Sequence, residues 1–381
     1  MPATIPAIQK VRPEYDGLEI RDAKVPEIQP DEVLVRVRAA AICGSDLHLY
    51  QWDESIRARV TRAAADFTRG HTIGHEFCGV IEAIGASVNK PGTVQYGPIK
   101  VGDFISAESH AVCNKCYQCR QGEQHVCVND SIIGFDRPGA FSPYIALPAS
   151  CVWKNDPALP IEIAAIQEPL GNAMHAAAHF PLKNQSVVVF GVGPIGLFAV
   201  AIARSLGARK IVAVDVNEYR LSIAEKLGAV PVVQEKTKKT QQTRKLHANL
   251  STVERLKQMC GNDGPDVALE MSGHPDAINN SISVVRRGGK VVLFGLPKND
   301  LVPLRRYSSD LVFKGVSLQA IIGRRLYGTW EQVRDFVGNV ENQKALRSII
   351  TSVVPYQQFH DSFENMIAGK EGKVVLRFDE K

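Results

Sequence analysis

The chain has 381 residues, 45% of them apolar and 22% charged, with a formal net charge of +5. That length exceeds what one ordinary core serves and predicts two domains, and the composition is that of a soluble globular protein. The charge is local rather than a nucleic-acid surface: Lys236, Lys238, Lys239, Arg244 and Lys245 stand in one acid-free run, KTKKTQQTRKLH, which reads as a solvated loop.

The first residues, MPATIPAIQKVRPEYDG, carry neither an apolar stretch nor a small-residue cleavage site, so no secretory signal is read and a cytoplasmic setting is expected. In that reducing setting, clustered cysteines are metal ligands rather than disulfides. Residues 1–170 read as β-rich, with short apolar runs (EVLVRVRAAAI, EFCGVIEAIGA, DFISAES) divided by Gly, Pro and Asn turns. Two segments in this half offer metal ligands, Cys43 in AAICGSDLHLY and His75-Glu76 in HTIGHEFCG. Next comes Cys113, Cys116, Cys119 and Cys127 with spacing C-x2-C-x2-C-x7-C. Four thiolates in one short loop suit a closed tetrahedral Zn²⁺ with no position for substrate, hence a structural site on which folding of 108–130 depends. An iron–sulfur cluster fits less well, because no proline follows the fourth cysteine and no second motif exists.

Glu168 in IQEPLGNAMHA marks the expected end of the first domain, and the rhythm then changes. The uncharged run SVVVFGVGPIGLFAVAIA is long enough to suggest a membrane span. Pro194 and three glycines in it fit a strand, turn and helix instead, so no membrane partner is expected. Strands KNQSVVVFG, KIVAVDV, VPVV, DVALEMSG, KVVLFGLP and LVFKGVSLQAII alternate with helical patterns, predicting a six-stranded, doubly wound parallel sheet of Rossmann type over 171–323. Gly191-Val-Gly193-Pro-Ile-Gly196 follows a strand and opens a helix, as a dinucleotide turn requires. Gly191 serves the tight turn, Gly193 the approach of a pyrophosphate and Gly196 the packing of helix on strand. Asp215, at the end of the next strand, is placed to accept from the ribose hydroxyls and repel a 2′-phosphate, favouring NAD, whereas nearby Arg220 would welcome that phosphate. The tail, 324–381, opens with helical TWEQVRDFVGNV, closes on strand-like GKVVLRF and is expected to return to the first domain.

With a dinucleotide fold in the same chain, Cys43, His75, Glu76 and Glu168 read together as a catalytic zinc site with an exchangeable position. Singly they would be a core thiol, a turn histidine and a solvated helix start.

The chain resembles the zinc-dependent medium-chain dehydrogenases of the alcohol dehydrogenase superfamily. The resemblance spans nearly all of it, through Cys43-Gly-Ser-Asp46, Gly74-His-Glu76, the cysteine loop, Glu168-Pro169 and the glycine turn. Within that family DLHLYQWDE, EPLGNAMH, VNEYRL, DVALEMSG and GRRL…TW are most similar to the threonine dehydrogenases. The resemblance implies an α/β protein with a GroES-like β-rich domain holding two zincs, one catalytic and one structural, and a homotetramer. It implies a proton relay from the alcohol through Ser45 and the nicotinamide ribose to His48, with Asp46 orienting a ligand. Glu76 and Glu168 both lie at the catalytic zinc, Glu168 as ligand or as a neighbour that helps exchange one. NAD is lined by Ile195, Asp215, Arg220, Phe294, Gly295, Leu296, Ile321 and Ile322, and Arg324 stands where a guanidinium can hold a substrate carboxylate. The implied reaction is NAD-linked oxidation of a small secondary alcohol, L-threonine to 2-amino-3-ketobutyrate, with a polyol or diol dehydrogenase as the second reading. A non-enzymatic zinc module binding nucleic acid is a remote third: no recognition helix follows the cysteine loop. Two departures stand out. Segments 55–70 and 236–250 are longer than typical, and Ser45 replaces the usual threonine while keeping its hydroxyl.

Overall fold

The computed structural model describes residues 3–63, 67–94, 97–234, 250–261, 263–299 and 301–379, and the basic run at 236–247 lies outside them. The chain begins with β1 (Thr4–Lys10), β2 (Leu18–Lys24), β3 (Glu32–Ala41), α1 (Gly44–Gln51) and α2 (Glu54–Ala63). Next are β4 (His71–Thr72), β5 (Glu76–Ile84), β6 (Phe104–Ala107), β7 (His110–Ala111), the short α3 (Tyr117–Arg120) and β8 (Ser131–Ile132). β9 (Tyr144–Pro148), β10 (Val152–Lys154), α4 (Ile161–Ala165) and α5 (Gln167–Ala177) follow. Small β2-β1-β4 and β7-β8 sheets accompany the main one. In the main sheet β3 is the hub and is buried at nearly every position, which its apolar, β-branched run EVLVRVRAAA permits. β5 pairs along one side of it, and β9 takes Glu32–Arg36 on the other.

The second unit alternates β11 (Ser186–Phe190), α6 (Pro194–Ser205), β12 (Lys210–Asp215), α7 (Glu218–Lys226), β13 (Val230–Val233) and α8 (Leu250–Met259). It continues with β14 (Val267–Glu270), α9 (Pro275–Val284), β15 (Lys290–Leu293) and β16 (Ser317–Ala320). All six strands are parallel, in the order β13-β12-β11-β14-β15-β16. The order reverses between β11 and β14, so the sheet is doubly wound as expected. SVVVF is buried throughout, as a strand covered on both faces must be. The apolar run that suggested a membrane span resolves into β11, a turn and the 12-residue α6, about 18 Å long. Among the described residues no helix is long and apolar enough to cross a membrane. LVFKGVSLQAII is strand only over Ser317–Ala320, because Tyr307–Val312 forms a π-helical segment before it.

The tail carries α10 (Gly328–Gly338), α11 (Val340–Ile349), β17 (Ile350–Pro355), α12 (Phe359–Ile367) and β18 (Lys373–Arg377). Its return begins later than expected. Residues 170–349 form one compact unit, and 1–169 with 350–381 the other. Helices α10 and α11 stay with the second unit because their apolar sides, Trp330, Val333, Phe336, Leu346 and Ile349, are buried there, with α11 against α6 and α7. From Ile350 the chain joins the main sheet, where β18 pairs with β3 at Ala39–Ala41 and β17 pairs with β18.

α12 fills the core of the β-rich unit, with Phe363 fully buried beside Tyr50, Phe141 and Phe359. Phe363→Ala is expected to cost about 3–5 kcal/mol. Chemical denaturation should show the β-rich unit losing this stability while the second unit keeps its own.

Candidate functional site

Cys43 occupies the N-cap of α1, and its N–H donates to Asp46 Oδ2 at 2.9 Å, which fixes the thiol at the helix start. Gly74, at φ +90°, turns the chain directly before His75; a Cβ there would meet the Phe141 ring at 2.2 Å. β5 then opens on Glu76. The ligand atoms of Cys43, His75 and Glu76 all lie within 4.8 Å of one another.

The surroundings of this trio are charged and dry. Asp46, Glu76, Glu168 and His75 are buried, as is Lys373, whose Nζ lies 2.5 Å from Glu76 Oε2 and donates to Ile42 O at 2.7 Å. Burial pushes the Asp46 and Glu76 carboxyls above the usual carboxylate range. Burial would lower the His75 pKa, but the charges of Cys43, Asp46 and Glu168 outweigh it and raise it to about 10. Glu76 Oε1, Asp46 Oδ1 and His75 Nδ1 are buried without hydrogen-bond partners, the last two 3.7 Å apart and beyond bonding distance. Each such group costs about 1–3 kcal/mol. One sulfur, one imidazole nitrogen and one carboxylate oxygen converging in such a place fit a zinc ion with its fourth position open.

Glu168 is buried beside the trio but does not converge with it; its Oε1 accepts from Ser109 Oγ at 2.6 Å. Ser45 Oγ lies 3.5 Å from His75 Nε2. His48, one turn further along α1, has its Nδ1 2.6 Å from Asp53 Oδ2. Lys373, Ser109 and Asp53 were not read from the sequence. A lysine opening an apolar strand was the available signal for the first; the other two gave none without the fold.

Sγ atoms of Cys113, Cys116, Cys119 and Cys127 also lie within 4.8 Å of one another, with Cys113 and Cys127 3.4 Å apart and Cys116 and Cys127 3.9 Å apart. A tetrahedral zinc with bonds near 2.3 Å places its sulfurs about 3.8 Å apart. The N–H groups of Lys115 and Cys116 point at Cys113 Sγ and hold its pKa down to about 6, whereas burial pushes Cys119 up to about 12. This cluster fits a closed site.

In the second unit the residues expected around NAD gather at the carboxyl ends of β11, β12, β15 and β16, the edge of an open sheet where ligands bind. Gly191 has φ +82°, and a Cβ on Gly196 would stand 2.0 Å from Gly191 O. Gly193 caps α6, Ile195 lies in its first turn, and an Arg220 nitrogen is 4.0 Å from where a Gly193 Cβ would be. Phe294 and Gly295 donate to Glu270 O, Ile321 donates to Leu293 O, and Leu296 and Ile322 are exposed. A cavity of about 220 Å³ runs past Gly191, Asp215, Ser272, His274 and Asp276. Asp215 does more than await a ribose: it accepts from the N–H groups of Val192, Val216 and Asn217 at 2.7–2.9 Å. That leaves one of about four acceptor directions. Glu270, also unread in the sequence, accepts from Ser272 and Gly273 and shapes the turn after β14. Arg324 is only 2% exposed; it donates to Asn172 Oδ1 at 2.9 Å and crosses α5 at Gly171.

Residues 194–339 match the family described as zinc-binding dehydrogenase, and residues 29–157 match the alcohol dehydrogenase GroES-like domain. The chain is 39% identical over 378 residues to an L-threonine 3-dehydrogenase of Symbiobacterium thermophilum, covering 99% of this chain and 98% of that protein. It is also 39% identical over 363 residues, 95% of each chain, to an L-threonine 3-dehydrogenase of Caldanaerobacter subterraneus. Among solved structures, an alcohol dehydrogenase from a Thermus species superposes with a TM-score of 0.79 at 26% identity, over 98% of this chain and 99% of that one.

Because Asp215 ties the glycine turn to the turn after β12, Asp215→Ala should lower the melting temperature of the protein as well as its dinucleotide affinity. Thermal melts and fluorescence titrations with NADH check both.

Proposed function

The chain belongs to the zinc-binding dehydrogenases, and from that membership we propose that it catalyses NAD-linked oxidation of L-threonine to 2-amino-3-ketobutyrate. The observation that carries this reading is the convergence of half-buried Cys43 with buried His75 and Glu76 in a chain so extensively similar to threonine dehydrogenases. Two zincs per chain are proposed: one held by Cys43, His75 and Glu76 with Glu168 as a neighbouring or exchanging ligand, the other by the four loop cysteines. NAD is proposed over NADP because Asp215 sets a carboxylate at the ribose end of the cavity. When bound, these groups polarise the alcohol oxygen and accept a hydride.

The chain's own residues manage the proton that the oxidation releases. Asp46 sets its charge 3.7 Å from His75 Nδ1, while Nε2, on the other side of the ring, lies 3.5 Å from Ser45 Oγ. Ser45 can donate and accept at one oxygen and so passes a proton on. His48, 44% exposed on the same helix, delivers it to solvent. Arg324 is proposed to hold the threonine carboxylate with a planar pair of charged hydrogen bonds.

Self-association into a homotetramer is supported by β16, an outermost strand, with Leu318 exposed on it and Phe313 exposed shortly before it in the chain. A cytoplasmic setting is supported by eight free cysteines, five of them in clusters fit for metal.

NADH formation from a panel of L-threonine, 2,3-butanediol, sorbitol and glucose tests the function; threonine is expected to give the highest kcat/KM, and a diol or polyol preference would overturn the reading. Arg324→Ala should raise the KM for L-threonine at least tenfold and change that for 2,3-butanediol much less, whereas equal losses would remove Arg324 from the substrate. Elemental analysis should find two zincs per chain. Cys116→Ser is expected to impair folding, and Cys43→Ser to abolish turnover while leaving the melting profile intact.

A further inference from the structure

We propose that Asp53 is a positioning residue for the proton path, its carboxylate locking the His48 ring in the tautomer whose Nε2 is free to accept a proton. The inference rests on the dehydrogenase reading above and deepens it. α1 ends at Trp52, which adopts a left-handed conformation at φ +58°. That turn folds the chain back, so Asp53 N–H donates to His48 O at 2.9 Å and Asp53 Oδ2 comes within 2.6 Å of His48 Nδ1. An ionised carboxylate only accepts, so the hydrogen in this bond belongs to Nδ1. In the neutral ring Nε2 then carries the lone pair.

Asp53 is itself held by the segment that follows it. Asp53 O accepts from Ile56 and Arg57 N–H at 3.2 Å, in the first turn of α2. Arg57 Nε donates to Trp52 O at 2.6 Å, and its guanidinium lies 5.9 Å from the Trp52 ring centre. Further along α2, Arg59 grips Asp136 through both carboxylate oxygens and reaches Asp130. Helix α2 is thereby a strut between α1 and the base of the cysteine loop. Other charged groups on elements packed against α1 have partners of their own. Lys10 Nζ is spent on the carbonyls of Glu14, Asp16 and Leu49. Glu364 takes the hydroxyls of Tyr15 and Tyr50, and His360 faces Asp16.

The test joins kinetics to ¹⁵N-histidine NMR of the full-length protein. Asp53→Ala is expected to lower kcat for L-threonine about tenfold to hundredfold, a fraction of what general acid–base catalysis supplies. KM for NAD and the melting temperature should stay unchanged. Asp53→Asn keeps an acceptor oxygen for Nδ1–H and should recover kcat to within about threefold. In the spectra, wild-type His48 should show the Nδ1–H tautomer alone, and Asp53→Ala a mixture of both. An unchanged tautomer in Asp53→Ala, or undiminished kcat in an active protein, overturns the proposal. Should the wild type oxidise no alcohol, the dehydrogenase reading fails, and the tautomer measurement still decides whether Asp53 sets the ring.

Discussion

Lys373 is the constraint on which the β-rich unit turns. The site needs anionic ligands gathered in the dry, and three carboxylates with an imidazole and a thiol cannot be packed there on hydrophobic energy alone. A single ammonium, 1% exposed and 2.5 Å from Glu76, offsets part of that charge before any metal arrives. Pairs of this kind add little net stability, yet removing one partner strands the other at a cost of several kcal/mol. Lys373 sits at the start of β18, close to the carboxyl terminus. The return of the tail is therefore more than an architectural habit: the last strand carries the counter-charge for the first strands' ligands.

The nucleotide unit solves a different problem, the binding of an anion without a buried charge cluster. Backbone N–H groups at the start of α6 are the donors a pyrophosphate would meet, so glycines matter more there than ionisable side chains. Its carboxylates work mainly on the backbone. Asp215 gathers three N–H groups and Glu270 shapes the Ser272-Gly273 turn, so both hold the backbone of the cavity's rim in place.

The sequence disclosed whatever is local. Four cysteines in fifteen residues, a glycine turn between strand and helix, and six alternating strands each carry their signal within a short window. The trio Cys43, His75 and Glu76 was legible only in company with the dinucleotide fold, because Cys43 stands well apart in the chain from the adjacent His75 and Glu76. Lys373 is paired with a residue 297 positions away, and no period or spacing announces that. Asp53 escaped for the opposite reason: it is near His48 in sequence, but at a helical spacing of five the two would not face each other. Only the left-handed turn at Trp52 brings them together. The end of the nucleotide unit was misplaced because α10 and α11 are amphipathic helices, and amphipathicity says that a face is buried without saying against what.

This contrast between local and distant ligands bears on what each metal cluster can do. Four cysteines from one loop can assemble with little help from the rest of the chain, and as ligands they would close a coordination sphere. The trio depends on register. Glu76 pairs with Ala41 in the β3–β5 ladder, and Ala41 pairs with Val375 of β18. A slip of one residue would turn Glu76 to the opposite face. The register is reset by an irregularity between Val37 and Ala39, where Arg38 is the extra residue of β3. Without it Ala40, not Ala41, would stand opposite Glu76. Arg38 is held from the tail, its carbonyl accepting from Phe378 N–H and its guanidinium donating to Asp379 Oδ2 at 3.1 Å. The terminal strand thus supplies the ammonium that neutralises Glu76 and also secures the bulge that aims it, so the open site can form only once the chain has closed on itself.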